Sequence, residues 1–141
     1  MKYVAWAVMA LGLLFAVPST AQAQQERPAK WVRLLPNYPN PFNPGTTIPF
    51  ELDRDAFETG HRPEVSLRVY NVLAQLVAVP VLEDSGEPLD GLKLEWNGTG
   101  RYTAHWDGRV MDTAQRAASG VYVYQLTVDG VKLTRRMTIS N

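Results

Sequence analysis

Apolar residues along this chain recur with period two. In Glu64-Val65-Ser66-Leu67-Arg68-Val69-Tyr70 the odd positions Val65, Leu67 and Val69 are apolar, while Ser66 and Arg68 between them are polar. Successive side chains of a strand point to opposite faces, so the pattern predicts a strand with one face in a core and one in water. Similar runs cover Thr46 to Leu52, Gln75 to Leu82, Leu92 to Trp96, Arg101 to Trp106, Val121 to Val128 and Val131 to Ile139. Turn-forming residues separate them, and no segment carries an apolar stripe at helical spacing. About seven short strands spaced in this way predict an all-β fold, an antiparallel sandwich.

The turns have their own chemistry. Asp129-Gly130 and Asn97-Gly98 each lie between β-rich runs and supply the positive φ angles that tight hairpins need. Pro49 lacks a backbone N–H, which predicts an edge or a bulge for its strand. Tyr122, Tyr124, Leu126 and Val128 form a face apolar enough for a central strand. In the closing strand Val131, Leu133, Met137 and Ile139 share a face with Arg135 among them. Either Arg135 snorkels at the rim or a bulge shifts the register.

The first residues follow a different pattern. Lys2 precedes an apolar run from Tyr3 to Val17, then Pro18, Ser19 and the small-x-small sequence Ala21-Gln22-Ala23. That is the pattern of a signal peptide over residues 1–23, with Ala21 and Ala23 at the cleavage site and Gln24 as the first residue of the exported chain. The run is short for a membrane span, which takes about 20 residues, so no span is expected after cleavage. Residues 24–36 are expected to be a short linker, with order beginning near Trp31 and a single domain over residues 37–141. The 14 basic and 14 acidic side chains balance, which gives no reason to expect nucleic acid as a partner. The chain has no cysteine, so it can carry neither a disulfide nor a lipid on a cysteine, and its fold must rest on its core.

At Asn37-Tyr38-Pro39-Asn40-Pro41-Phe42-Asn43-Pro44, prolines and asparagines alternate around two aromatic residues just ahead of a strand. Proline fixes φ and biases the residue before it to extended geometry, so the segment is expected to be a stiff lead-in that plugs one end of the core with Tyr38 and Phe42. This segment resembles the C-terminal sorting domains of the type IX secretion system, and the related immunoglobulin-like domain of flagellar hook-capping proteins. The likeness continues in order through Thr46-Thr47-Ile48-Pro49-Phe50-Glu51-Leu52, Val69-Tyr70-Asn71-Val72-Leu73, Trp106-Asp107-Gly108-Arg109, Ala118-Ser119-Gly120-Val121-Tyr122-Val123-Tyr124 and Lys132-Leu133-Thr134-Arg135-Arg136-Met137. Spaced motifs in the right order carry far more weight than any one of them.

The resemblance implies a seven-stranded immunoglobulin-like sandwich that directs proteins from the periplasm to the cell surface. Its partner would be the outer-membrane secretion machinery, and Asn40, Pro41, Gly120, Tyr122, Lys132, Arg135 and Arg136 would be the positions that machinery reads. Structural roles compete with recognition at each of these. Gly120 can serve a turn, Tyr122 can fill the core, and basic residues protect exposed strand edges. The chain departs from the family pattern at Ala74, where glycine is usual and a positive φ would cost about 1 kcal/mol. It departs again in the loop Val110 to Ala118, which lacks a glycine, and in the long stretch Glu83 to Gly100. Sorting domains normally follow a large cargo, and only Gln24 to about Pro36 stands in that place here.

No catalysis is expected. His61 and His105 are the only histidines, they lie far apart in sequence, and there is no cysteine, so neither zinc-ligand spacing nor a Cys-His pair exists. Glu95 and Asp107 could form a carboxylate pair for glycoside hydrolysis, but a solvent-facing strand residue and an Asp-Gly turn explain them more simply. Asp53, Asp55 and Glu58 do not follow calcium-loop spacing. No cofactor or metal is expected. Trp96, Tyr102 and Trp106 flank one presumed hairpin and could stack on sugars, or else pack the core; the turn between them leaves their faces undetermined. The alternatives to sorting are therefore a stand-alone glycan- or partner-binding module and a structural surface subunit assembled through strand edges; the secreted chain by itself is expected to be a monomer.

Overall fold

A computed structural model describes residues 29–141 as two antiparallel sheets packed face to face, the all-β sandwich that the alternation predicts. The expected signal peptide, with Ala21, Ala23 and Gln24, lies outside the described residues. The strands are β1 (Val32–Leu34), β2 (Thr46–Leu52), β3 (Glu64–Tyr70), β4 (Leu76–Ala78), β5 (Val81–Leu82), β6 (Leu92–Lys93), β7 (Arg101–Trp106), β8 (Gly120–Val128) and β9 (Val131–Ile139). One sheet has the order β1-β2-β7-β5. The other has the order β4-β3-β8-β9, with β6 beside the far end of β3.

The core lies between the sheets and is built by the predicted alternation. Ile48, Phe50 and Leu52 of β2 meet Val65, Leu67 and Val69 of β3 and Tyr124, Leu126 and Val128 of β8, all of them buried. The β8 strand is central, as its apolar face requires, paired with β3 on one side and β9 on the other. Asp129 and Gly130 both take positive φ, at 46° and 83°, and close the β8–β9 hairpin with Val128 opposite Val131. The Asp129 carboxylate also accepts from the Glu64 N–H at 2.9 Å and meets His61 Nε2 at 2.8 Å, tying the turn to the start of β3.

The structure departs from the sequence expectations in several places. The expected linker contains β1: Val32 and Leu34 are buried and the strand pairs with the end of β2, so the sandwich begins ahead of Asn37. The β2 strand is not an edge and carries no bulge, because β7 pairs with it on the side away from β1. Pro49 fits there because odd residues of β2 turn their backbone groups towards β1. The Pro49 carbonyl accepts from Leu35 N–H at 3.0 Å, and its ring nitrogen faces the gap between Leu35 and Tyr38, where no ladder bond is needed.

The expected strand Gln75 to Leu82 is two strands in different sheets, β4 on β3 and β5 on β7, broken at Val79-Pro80. Asn97-Gly98 makes a turn but no hairpin, because β6 and β7 also belong to different sheets. Asn97 stabilises that crossing itself, accepting from Thr99 N and Gly100 N at 3.0 and 2.8 Å and donating to Arg101 O at 2.7 Å. Ala74 does take a positive φ, 58°, in a turn organised by the Asn71 side chain. In the Val110–Ala118 loop, Asp112 adopts φ 60° without any glycine.

A candidate docking edge

The lead-in segment closes one end of the sandwich, bonding to β2 on one side and to β8 and β9 on the other. Tyr124 Oη, buried at the centre of β8, donates to Leu35 O at 2.9 Å and accepts from Asn37 N at 3.1 Å. Asn37 Nδ2 donates to Thr46 Oγ1 at 3.1 Å, and Thr46 Oγ1 donates to Pro39 O at the same distance. Asn40 Oδ1 accepts from Thr138 N at 3.1 Å. Phe42 then runs parallel to β9, its N–H donating to Thr138 O and its carbonyl accepting from Ser140 N, each at 3.1 Å.

The Phe42 side chain is 1% exposed and meets Trp106 edge-on at 5.5 Å; Trp106 in turn meets Tyr122 edge-on at 5.8 Å. Phe42 is the plug that the motif predicts. Tyr38 is not: its backbone bridges Thr47 while the residue as a whole is 57% exposed.

Those contacts fix which way β9 faces. Thr138 turns its N–H and C=O away from β8, towards Asn40 and Phe42, and alternation makes Lys132, Thr134 and Arg136 do the same. Among the described residues nothing hydrogen-bonds to the backbone groups of these three. Beside them runs a groove of about 420 Å³ lined by Val32, Leu34 and Leu35 on the β1 side and Leu133 and Arg135 on the β9 side. It lies between the free edges of the two sheets.

Arg135 crosses this groove, its Nε donating to Leu34 O at 2.7 Å, while β8 and β9 stay in continuous register through Tyr124 and Arg135. The register therefore holds no bulge, and Arg135 lies at the rim with its head group tied to β1. Lys132 and Arg136 differ. They sit on the outer face opposite Thr127 and Val123, are exposed, and have no carboxylate within ion-pair reach among the described residues.

The residues singled out in the sequence thus fall into two groups. Asn40, Pro41, Gly120 and Tyr122 lie at the closed end of β9. There Gly120, with φ 149°, pairs with Ile139, Pro41 is exposed beside Asn40, and Tyr122 Oη donates to Ala118 O at 2.7 Å from a buried ring. Lys132, Arg135 and Arg136 lie along the open part. Burial raises the hydroxyl pKa of Tyr122, Tyr102 and Tyr124; for Tyr124 the Asn37 N–H and the Arg135 charge pull the other way.

The aromatic trio does not form an exposed platform. Tyr102 and Trp106 are buried, stacked on Phe50 at 5.5 Å and capped by Phe42 respectively, so neither ring offers a free face. Trp96 is half-buried against Phe57 with Arg54 over its ring. Glu95 lies 3.7 Å from Arg62, and Asp107 accepts from Arg109 N within its own turn. Among the described residues no cluster of three or more His, Asp or Glu side chains could hold a metal ion, and no helix is long and apolar enough to cross a membrane.

The pattern missed β1, since three residues carry too little alternation to be read. It also did not mark the apolar residues Val72 and Leu73 in the β3–β4 turn, Leu76 in β4 and Val121 in β8 as exposed. Comparison with family models, with curated proteins and with solved structures returns no match.

Proposed function

We propose that this chain is a secreted, non-catalytic recognition module, a sorting or attachment signal for export across the outer membrane to the cell surface. The observation that carries the proposal is a strand edge, Lys132–Arg136 in the last strand of the sandwich, whose outward backbone groups and two unpaired cations have no partner among the described residues. The ordered motifs from Asn37 to Met137 support the same reading, and the signal-peptide pattern of residues 1–23 supports entry into the periplasm first. An exposed edge is read by a partner through backbone pairing, with charge selecting among partners.

Export of a reporter tests this. A signal peptide and reporter followed by residues 29–141, the whole described sandwich with β1, should reach the surface of a type IX-competent cell. The same fusion with Lys132→Ala and Arg136→Ala should stay in the periplasm. Arg135 is left intact because its bond to Leu34 makes its loss a change in the fold as well. A periplasmic intact fusion would reject the sorting function; export of the folded double variant would reject the two cations as its signal.

A further inference from the structure

We infer that the open run Lys132–Arg136 of β9 takes an extended, acidic segment of a partner protein as an added strand. Three features of the structure fit this occupant together.

The first is the backbone. Lys132, Thr134 and Arg136 present N–H and C=O groups outward in ladder spacing, and a segment laid along them would satisfy both kinds. The chain itself demonstrates the fit one step further on, where Phe42 already pairs with the same edge through Thr138 and Ser140. The second is the groove. Alternate side chains of an added strand would turn inward towards the half-buried Leu133, next to the already buried Val32 and Leu34, which calls for an apolar residue at that position.

The third is charge. Residues directly opposite Lys132 and Arg136 share their outward face, and neither cation has a carboxylate nearby among the described residues. Carboxylates on the incoming strand would supply the cross-strand pairs. A second copy of this chain fits worse: antiparallel pairing of β9 with itself about Thr134 sets Lys132 against Arg136 of the copy, and like charges directly opposite are unfavourable. The favoured ligand is thus a short extended stretch in which glutamate or aspartate alternates with aliphatic residues.

This inference rests on reading the module as one that a partner recognises, and is independent of which machinery that is. The test uses the exported chain and two labelled peptides, one alternating glutamate with valine and one alternating lysine with valine. The glutamate peptide should bind and slow amide exchange at Lys132, Thr134 and Arg136, and the lysine peptide should not. Lys132→Glu with Arg136→Glu should weaken the glutamate peptide by about tenfold, as two favourable cross-strand pairs become like-charged, and admit the lysine peptide. Thr134→Pro, which removes an edge N–H unbonded among the described residues, should abolish binding of the glutamate peptide while the melting temperature holds.

Equal affinity for the two peptides, protection at another edge such as β5, or unchanged binding by Thr134→Pro would overturn the inference. So would a dimer that protects these amides with no peptide present, because a second copy would then fill the edge. A reporter that fails to reach the surface while the glutamate peptide still binds would sink the sorting function and leave the docking edge standing.

Discussion

The two halves of β9 are the same strand in the same sheet, paired to β8 without interruption, yet one half is finished and the other is not. From Thr138 to Ser140 the free edge is covered by Asn40 and Phe42, and the side chains beneath, Met137 and Ile139, are buried. From Lys132 to Arg136 the edge is uncovered among the described residues, and Leu133 beneath it is only partly buried. An unpaired edge is a liability for aggregation, commonly managed with charge, and here the charge falls only on the uncovered half. The covered half is built for stability and the open half for contact.

The largest effect should come from uncapping the covered half. Phe42→Ala removes a residue that is 1% exposed and leaves Trp106 without its edge-on partner, which should cost about 3–5 kcal/mol, the usual range for a buried phenylalanine. Urea denaturation would read the loss, and amide exchange at Ser140 should speed up well before that at Thr134 changes. If the variant keeps its denaturation midpoint, the lead-in segment is a loose tail, and the two halves of β9 do not differ as described.

The sandwich was legible from alternation because each long strand buries one face: Val65, Leu67 and Val69 of β3, and Tyr122 to Val128 of β8, lie where period two puts them. The strand switch at Val79-Pro80 was not legible, since both pieces are apolar and period two does not say which sheet a strand joins. The Asn97-Gly98 turn misled for a related reason, as a turn dipeptide fixes local φ and says nothing of what its flanks pair with. For the site, Lys132 and Arg136 were legible as basic residues on a closing strand. The tie from Arg135 to Leu34 was not, because it depends on β1, a strand too short to announce itself.

A smaller effect should appear where the lead-in meets the middle of β8. Tyr124→Phe removes a hydroxyl that serves both Leu35 O and Asn37 N, and should cost about 1–3 kcal/mol because those two backbone groups lose their partner. It also changes the alkaline limb. Burial raises the Tyr124 pKa above 10.0, so the folded chain holds that proton where the unfolded chain has released it. The stabilisation is complete below pH 10 and is lost as pH rises through the folded pKa. The variant should therefore lose less stability between neutral and strongly alkaline pH than the parent does. Part of the loss will remain, since Tyr102 and Tyr122 shift in the same direction. Parallel stability curves for the two proteins above pH 10 would mean that Tyr124 is not the buried anchor of Asn37.

The smallest change in stability should come from the open half, and that smallness is the point of the experiment. Lys132 and Arg136 are exposed, face uncharged β8 residues and pair with no carboxylate among the described residues, so replacing either by alanine should move stability by less than about 0.5 kcal/mol. Amide exchange in β9 should keep its order, with Ser140 slower than Thr134, because neither side chain covers the edge. What the two substitutions should change is association: losing the cations removes part of the charge that keeps an uncovered edge from pairing with other copies. Sedimentation at rising protein concentration would read this, with the double variant self-associating at concentrations where the parent stays monomeric. If instead the double variant melts several degrees lower as a monomer, the two cations belong to the architecture of the sandwich. The contrast between a half of β9 built for stability and a half built for contact would then fail.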